Sequence, residues 1–235
     1  IYVFSNCKLD FMKYICRFGI CFLFLIFLRC EKEISKQSYL ALGDGYTIGE
    51  SVSKSERWPD QLVASLANEN IFLNSPEIIA KTGWTTSELQ EGINLAPLNY
   101  PYDWVSLLIG FNNQYRGKSI EEFGSEFYKL LSQAIVFSGN RKERIFVISI
   151  PDWGAMPFAK GNDVQKIAAE IDAFNQVIYE LCAQENVQFI DITPLSRKVS
   201  DYPDWIAKDG LHPSGAQYSK WVLEILPFFL NTKND

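Results

Sequence analysis

Leu40-Ala41-Leu42-Gly43-Asp44-Gly45-Tyr46-Thr47 is the stretch on which the reading of this chain turns. With Tyr39 before it, the run to Leu42 is continuously apolar, and two glycines then bracket Asp44. A short apolar run without polar alternation predicts a strand covered on both faces. The glycines predict a tight turn at its carboxyl end. In an open α/β sheet that is the edge where reacting groups and ligands are presented.

Outward from this stretch the same unit returns. Further strands are predicted at 76–80, 103–109, 144–150 and 188–192. Between them lie helical patterns. Pro59 suits the first turn of a helix that repeats Leu62, Val63, Leu66 and Ala67. Thr85 or Thr86 caps a second helix, with Leu89 and Ile93 on its inner face. Ser119 and Glu122 form a capping box before Phe123, Phe127, Leu130 and Leu131. Residues 164–185 present Ile167, Ile171, Phe174, Ile178 and Cys182 at helical spacing. A last helix runs over 213–230 and is expected to be disturbed at Pro227. Strand–helix alternation with right-handed crossovers gives a three-layer α/β/α sandwich around a five-stranded parallel sheet, flavodoxin-like in kind. The loops after the five strands then share one edge.

The chain has 235 residues, 47% of them hydrophobic, which suffices for one domain with a sizeable core. Its net charge of -6 argues against a nucleic-acid partner. The amino terminus differs from the rest. Met12 is the first methionine, and Lys13 and Arg17 precede an apolar run from Phe18 to Leu28. A short basic region followed by a run too short to span a bilayer predicts a secretory signal. Residues 1–11 are therefore read as an upstream extension, 12–29 as the signal, 30–37 as a tether and 38–231 as the folded domain. Phe27-Leu28-Arg29-Cys30 resembles a loose bacterial lipobox, which makes Cys30 the candidate lipidation site and a membrane anchor. Arg29 departs from the small residue usual there. The expected destination is the cell envelope as an anchored lipoprotein, otherwise the periplasm or secretion, and an uncleaved amino-terminal anchor is the alternative reading of the same run. Of the five cysteines, Cys7, Cys16 and Cys21 precede Cys30, and Cys182 alone remains in the domain, so no disulfide within the domain is available.

The predicted edge carries chemistry. His212 is the only histidine, and Asp209 lies three residues before it in a turn-forming segment. A carboxylate at that spacing can orient the ring and fix its tautomer. Asn112 follows the third strand and offers an amide donor, and Gly83 follows the second and offers an unhindered backbone N–H. Together they supply a base, its orienting partner and donors for an oxyanion. Each alone reads as an ordinary loop residue, but their common placement favours a site. Aromatic residues Trp84, Phe111 and Trp153 fall on the same loops and are candidates for holding substrate. No metal-ligand cluster is visible, and this chemistry requires no cofactor.

These blocks resemble the SGNH, or GDSL-type, hydrolases of esters and lipids, from about residue 39 to residue 230. The matching blocks are Gly43-Asp44-Gly45, Thr82-Gly83-Trp84, Gly110-Phe111-Asn112 and Asp209-Gly210-Leu211-His212. One block is weak evidence; four in order are specific. With Ile150-Pro151-Asp152-Trp153-Gly154 they are similar to a bacterial lysophospholipase or esterase subgroup. The resemblance implies that His212 is the general base and Asp209 its partner. It implies an oxyanion hole from the N–H groups of residues 45 and 83 and the Asn112 amide. It places the nucleophilic serine at position 45, where this chain has glycine. Thr47 is the nearest hydroxyl, and Ser51 lies further on. The expectation is an ester hydrolase acting on a small-molecule ester or lipid, severely impaired by Gly45, with water activated by His212 as the remaining route. The alternative is a non-catalytic exported lipoprotein that binds an ester, acyl chain or carbohydrate in the retained pocket.

Overall fold

The computed structural model describes residues 35–232. The predicted signal at 12–29, Cys30 and most of the tether lie outside the described residues.

Strand β1, Tyr39–Asp44, is buried at every residue and runs into the single-turn helix α1, Gly45–Ile48. Then follow α2 (Trp58–Asn68), β2 (Glu77–Lys81) and α3 (Thr86–Leu95). The middle of the chain gives β3 (Trp104–Leu108), α4 (Phe111–Tyr115), α5 (Ile120–Phe137) and β4 (Ile145–Ile148). The last part gives α6 (Val164–Glu185), β5 (Gln188–Ile190), α7 (Thr193–Ser196) and α8 (Gly215–Thr232). The strands form one parallel sheet in the order β2-β1-β3-β4-β5.

That order reverses direction between β1 and β3, which opens a crevice at their carboxyl ends. Helices cover both faces, α2 packing on α8 and α5 packing on α3 and α6. The central strands are buried on both sides, which is why β1, β3 and β4 read as unbroken apolar runs.

The last helix, expected to be disturbed at Pro227, runs through that residue as α8 to Thr232. Proline removes one donor and crowds the carbonyl four residues back, here that of Leu223, whose residue is 58% exposed to water. On the other side, Phe229 is buried and its ring lies 4.3 Å from that of Trp104 on β3. Tertiary packing holds the helix across a residue that local propensity disfavours.

Three short helices, α1, α4 and α7, were not expected. Each has five residues or fewer, too few to show a period. Contacts from the sheet edge define them instead. The Asp44 carboxylate, for example, caps α1 by accepting the Tyr46 N–H at 3.0 Å.

Candidate active site

The crevice holds a cavity of about 150 Å³. Its polar wall comes from four separate segments: Gly45 after β1, Thr82 and Gly83 after β2, Asn112 after β3 and His212 before α8. Phe111, Tyr115, Phe158 and Leu211 form an apolar wall. The residues expected to act together, His212, Gly45, Gly83 and Asn112, therefore meet at one cavity, with Asp209 behind the histidine.

The 209–212 turn builds the dyad locally. One Asp209 oxygen accepts the backbone N–H groups of Leu211 and His212, at 2.9 and 3.0 Å. The other lies 2.6 Å from His212 Nδ1 and accepts the Ser51 hydroxyl at 2.7 Å. Burial alone raises the pKa of this carboxyl. The two backbone donors, the His212 ring and Ser51 outweigh it and hold Asp209 down at about 2. An ionised Asp209 keeps the hydrogen on Nδ1 and leaves the Nε2 lone pair facing the cavity. His212 is 6% exposed, and its ring lies 5.0 Å from the Tyr46 ring, centroid to centroid.

Gly45 has no side chain to offer, and its backbone does not demand glycine. It is absent from the glycines with positive φ, whereas Gly83 (φ 88°) and Gly110 (φ 131°) both sit where a side chain is strained. What occupies the space is the histidine. A Cβ built on Gly45 would lie 2.8 Å from His212 Nε2, 3.4 Å from Thr82 Oγ1 and 3.6 Å from His212 Cδ2.

The donors differ in readiness. Asn112 Nδ2 donates to the Trp84 carbonyl at 3.0 Å and makes a long contact of 3.4 Å to Asp44. The amide hydrogen aimed at Asp44 is the one that an incoming oxyanion could recruit. Asp44 is fully buried. Burial is the main cause that pushes its carboxyl up to about 7, against the lowering pull of the Tyr46 N–H and Asn112. Gly83 is fixed by Arg116, whose guanidinium donates to the Gly83 carbonyl at 2.5 Å and pairs with Glu88 at 3.1 Å.

Several weaker candidates fall elsewhere. Trp84 does not line the cavity; its ring packs on Gly92 of α3, within 2.2 Å of where a Cβ would stand. Trp153 does not line it either. It is 4% exposed, donates its indole N–H to Gln114 and backs the rings of Phe111, Tyr115 and Phe158. Phe111 does line the cavity. Thr47 is fully buried, with its hydroxyl packed against Gly43 and away from the cavity, so it is no substitute nucleophile. Ser51 spends its hydroxyl on Asp209. Thr82 was not singled out in the sequence. The parallel register pairs Asp44 with Lys81, and one step further places Thr82 opposite Gly45.

The sequence profile of the GDSL-like lipase/acylhydrolase family matches residues 41–220. No curated protein sequence matches the chain. Among solved structures, a psychrotrophic esterase from Pseudoalteromonas sp. is similar at 14% identity and a TM-score of 0.66, covering 85% of this chain and 100% of that one. An acetylxylan esterase from Geobacillus stearothermophilus is similar at 18% identity and a TM-score of 0.62, covering 83% of this chain and 94% of the other. A lipase/acylhydrolase from Enterococcus faecalis is similar at 19% identity and 0.62, covering 81% and 94%. At these identities the structures attest the fold.

Proposed function

Because the chain belongs to the GDSL-like lipase/acylhydrolase family, we propose that it is a carboxylic-ester hydrolase whose acyl-enzyme route is closed at Gly45. One observation carries this reading: His212 Nε2 stands 2.8 Å from the Cβ position of Gly45, while Asp209 holds the opposite ring nitrogen at 2.6 Å. A base and its orienting carboxylate are aimed at the place where an attacking oxygen belongs, and that oxygen is absent from residue 45.

The Gly45 and Gly83 N–H groups, with the Asn112 amide, are suited to an oxyanion that forms as the carbonyl becomes tetrahedral. Phe111, Tyr115, Phe158 and Leu211 favour an apolar acyl or aryl group. Hydrolysis then proceeds by water deprotonated at His212. Its rate lies orders of magnitude below that of a serine enzyme, since binding and an oxyanion hole alone retain about 10³–10⁴-fold over water. Export and a Cys30 lipid anchor belong to the same proposal and rest on the sequence alone.

The test compares the full chain with Gly45→Ser on short-chain aryl esters. The serine should raise kcat/KM at least about a hundredfold. A folded Gly45→Ser variant with no gain contradicts the reading and favours a binding role for the pocket.

A further inference from the structure

Thr82 has no part in the machinery so far, yet its hydroxyl is close to the centre of it. The point where a Cβ on Gly45 would stand lies 3.4 Å from Thr82 Oγ1 and 2.8 Å from His212 Nε2. The Thr82 O–H donates to the Glu50 carboxylate. Glu50 belongs to the turn that follows α1, and its own N–H donates to the Gly45 carbonyl at 3.0 Å. One short loop thus supplies both the gap and the group that orients the hydroxyl beside it.

The direction of that hydrogen bond matters. With its hydrogen committed to Glu50, Thr82 Oγ1 turns lone pairs to its other neighbours. His212, with its hydrogen on Nδ1 toward Asp209, also presents a lone pair. Two acceptors therefore flank the space beside Gly45. Their complement is a small molecule with two hydrogens to give and a lone pair to spare, which describes water.

We propose that Thr82 and Glu50 complete a water site with His212 at Gly45, and that this water attacks the ester directly. The proposal rests on the ester-hydrolase reading above. The water stands outward of the Cβ position, on the cavity side, because that position is within bonding distance of the Gly45 Cα. One hydrogen bonds to Nε2 and the other to Thr82 Oγ1. One of its two lone pairs faces the acyl carbon. As the oxygen–carbon bond forms, the proton on the Nε2 side passes to Nε2, and the carbonyl electrons move onto its oxygen. Collapse then breaks the bond to the alcohol oxygen, which leaves with the proton from Nε2. The products are the carboxylic acid and the alcohol, with no bond to the protein at any stage. Thr82 touches the attacking water; Glu50 acts through Thr82 and is a positioning residue.

A serine at position 45 brings its own oxygen for the first step, so kcat/KM, which reports acylation, no longer depends on Thr82, although water at His212 still releases the acyl group. The full chain is therefore compared with Thr82→Val, Thr82→Ser, Gly45→Ser and the double variant Gly45→Ser/Thr82→Val, using an aryl acetate. Thr82→Val should lower the residual rate by about tenfold or more, as expected when a reactant loses its placement. Thr82→Ser should keep it within about threefold. In the Gly45→Ser background, Thr82→Val should change kcat/KM by less than about threefold, a readout that a merely structural role would not spare. A crystal structure of the full chain should show water within roughly 3.2 Å of both Nε2 and Oγ1, lost in Thr82→Val. An unchanged rate in Thr82→Val, an equal loss in both backgrounds, or no water bridging the two atoms overturns the proposal. So does an aryl phosphonate adduct on Thr82, which would make the threonine a covalent nucleophile. If Gly45→Ser gains nothing, the ester reading fails and the water's catalytic role with it. If Gly45→Ser is active while Thr82→Val has no effect, only the water site fails.

Discussion

At the scale of single residues, Asp44 and Asp209 flank the same cavity, and their surroundings push them in opposite directions. Burial lifts Asp44 to about 7 from an ordinary 3.8. Across that window the folded chain keeps a proton that the unfolded chain has released. Its contribution to stability is present below about 4 and lost as the pH rises through 7. The difference in melting temperature between Asp44→Asn and the unmodified protein should therefore shift in favour of the variant between pH 4 and 7. Parallel curves across that range would show that Asp44 is not perturbed. Asp209 is held near 2, so its contribution is present above 3.8 and disappears as the pH falls through 2. Asp209→Asn should flatten that acid limb. In a Gly45→Ser background the same change should return ester hydrolysis to about the level of the unmodified chain, because the ring loses its tautomer. Retained activity in that double variant would remove Asp209 from the catalytic account.

The elements of the fold are joined at the site by a few side chains rather than by loop packing alone. Asn113, in the middle of α4, is fully buried and holds the first turn of α3. Its carbonyl oxygen accepts the Thr86 N–H at 3.0 Å, and its amide donates to the Thr86 hydroxyl at 2.6 Å. It thereby fixes the Gly83 loop against the Asn112 loop. Asn113→Ala strands the buried Thr86 N–H, while the Thr86 hydroxyl keeps its bond to the Glu126 carboxylate, and should cost about 1–3 kcal/mol in denaturant unfolding. A change under a few tenths would mean that the two loops are held in some other way. Long elements were legible in the sequence for a physical reason. Helix α6 keeps Ile167, Ile171, Phe174, Ile178 and Cys182 buried along one stripe, and its observed bounds are those of the pattern. The short helices α1 and α4 were illegible because a single turn carries no period and is defined by its caps.

For the molecule as a whole, the order β2-β1-β3-β4-β5 places the turn after β1 and the loop after β3 on either side of the crevice. Helices α2 and α8 close one face beneath it, with Trp58 and Trp221 both fully buried. Trp221→Ala should cost about 3–5 kcal/mol, the range for emptying an aromatic core site. A cost near zero would mean that this face is not sealed as described. The residue types of the dyad and its donors were readable from order along the chain. Their distances were not, because Thr82 meets Gly45 only through the β1–β2 register and Trp84 turns away only because Gly92 leaves it room.

The central claim is that the site is complete except for one oxygen. The backbone at Gly45 has no positive φ, and the one tight contact of an added Cβ, 2.8 Å to Nε2, is with the end of the His212 side chain, which has to withdraw by about half an ångström or more to reach ordinary contact. The most direct measurement is therefore the intact mass of folded protein after exposure to an aryl phosphonate. The account predicts no adduct on the unmodified chain. It predicts one equivalent on Gly45→Ser, carried by the introduced serine and abolished by adding His212→Ala. A folded Gly45→Ser variant that takes up no phosphonate, or an adduct that forms equally without His212, would contradict it.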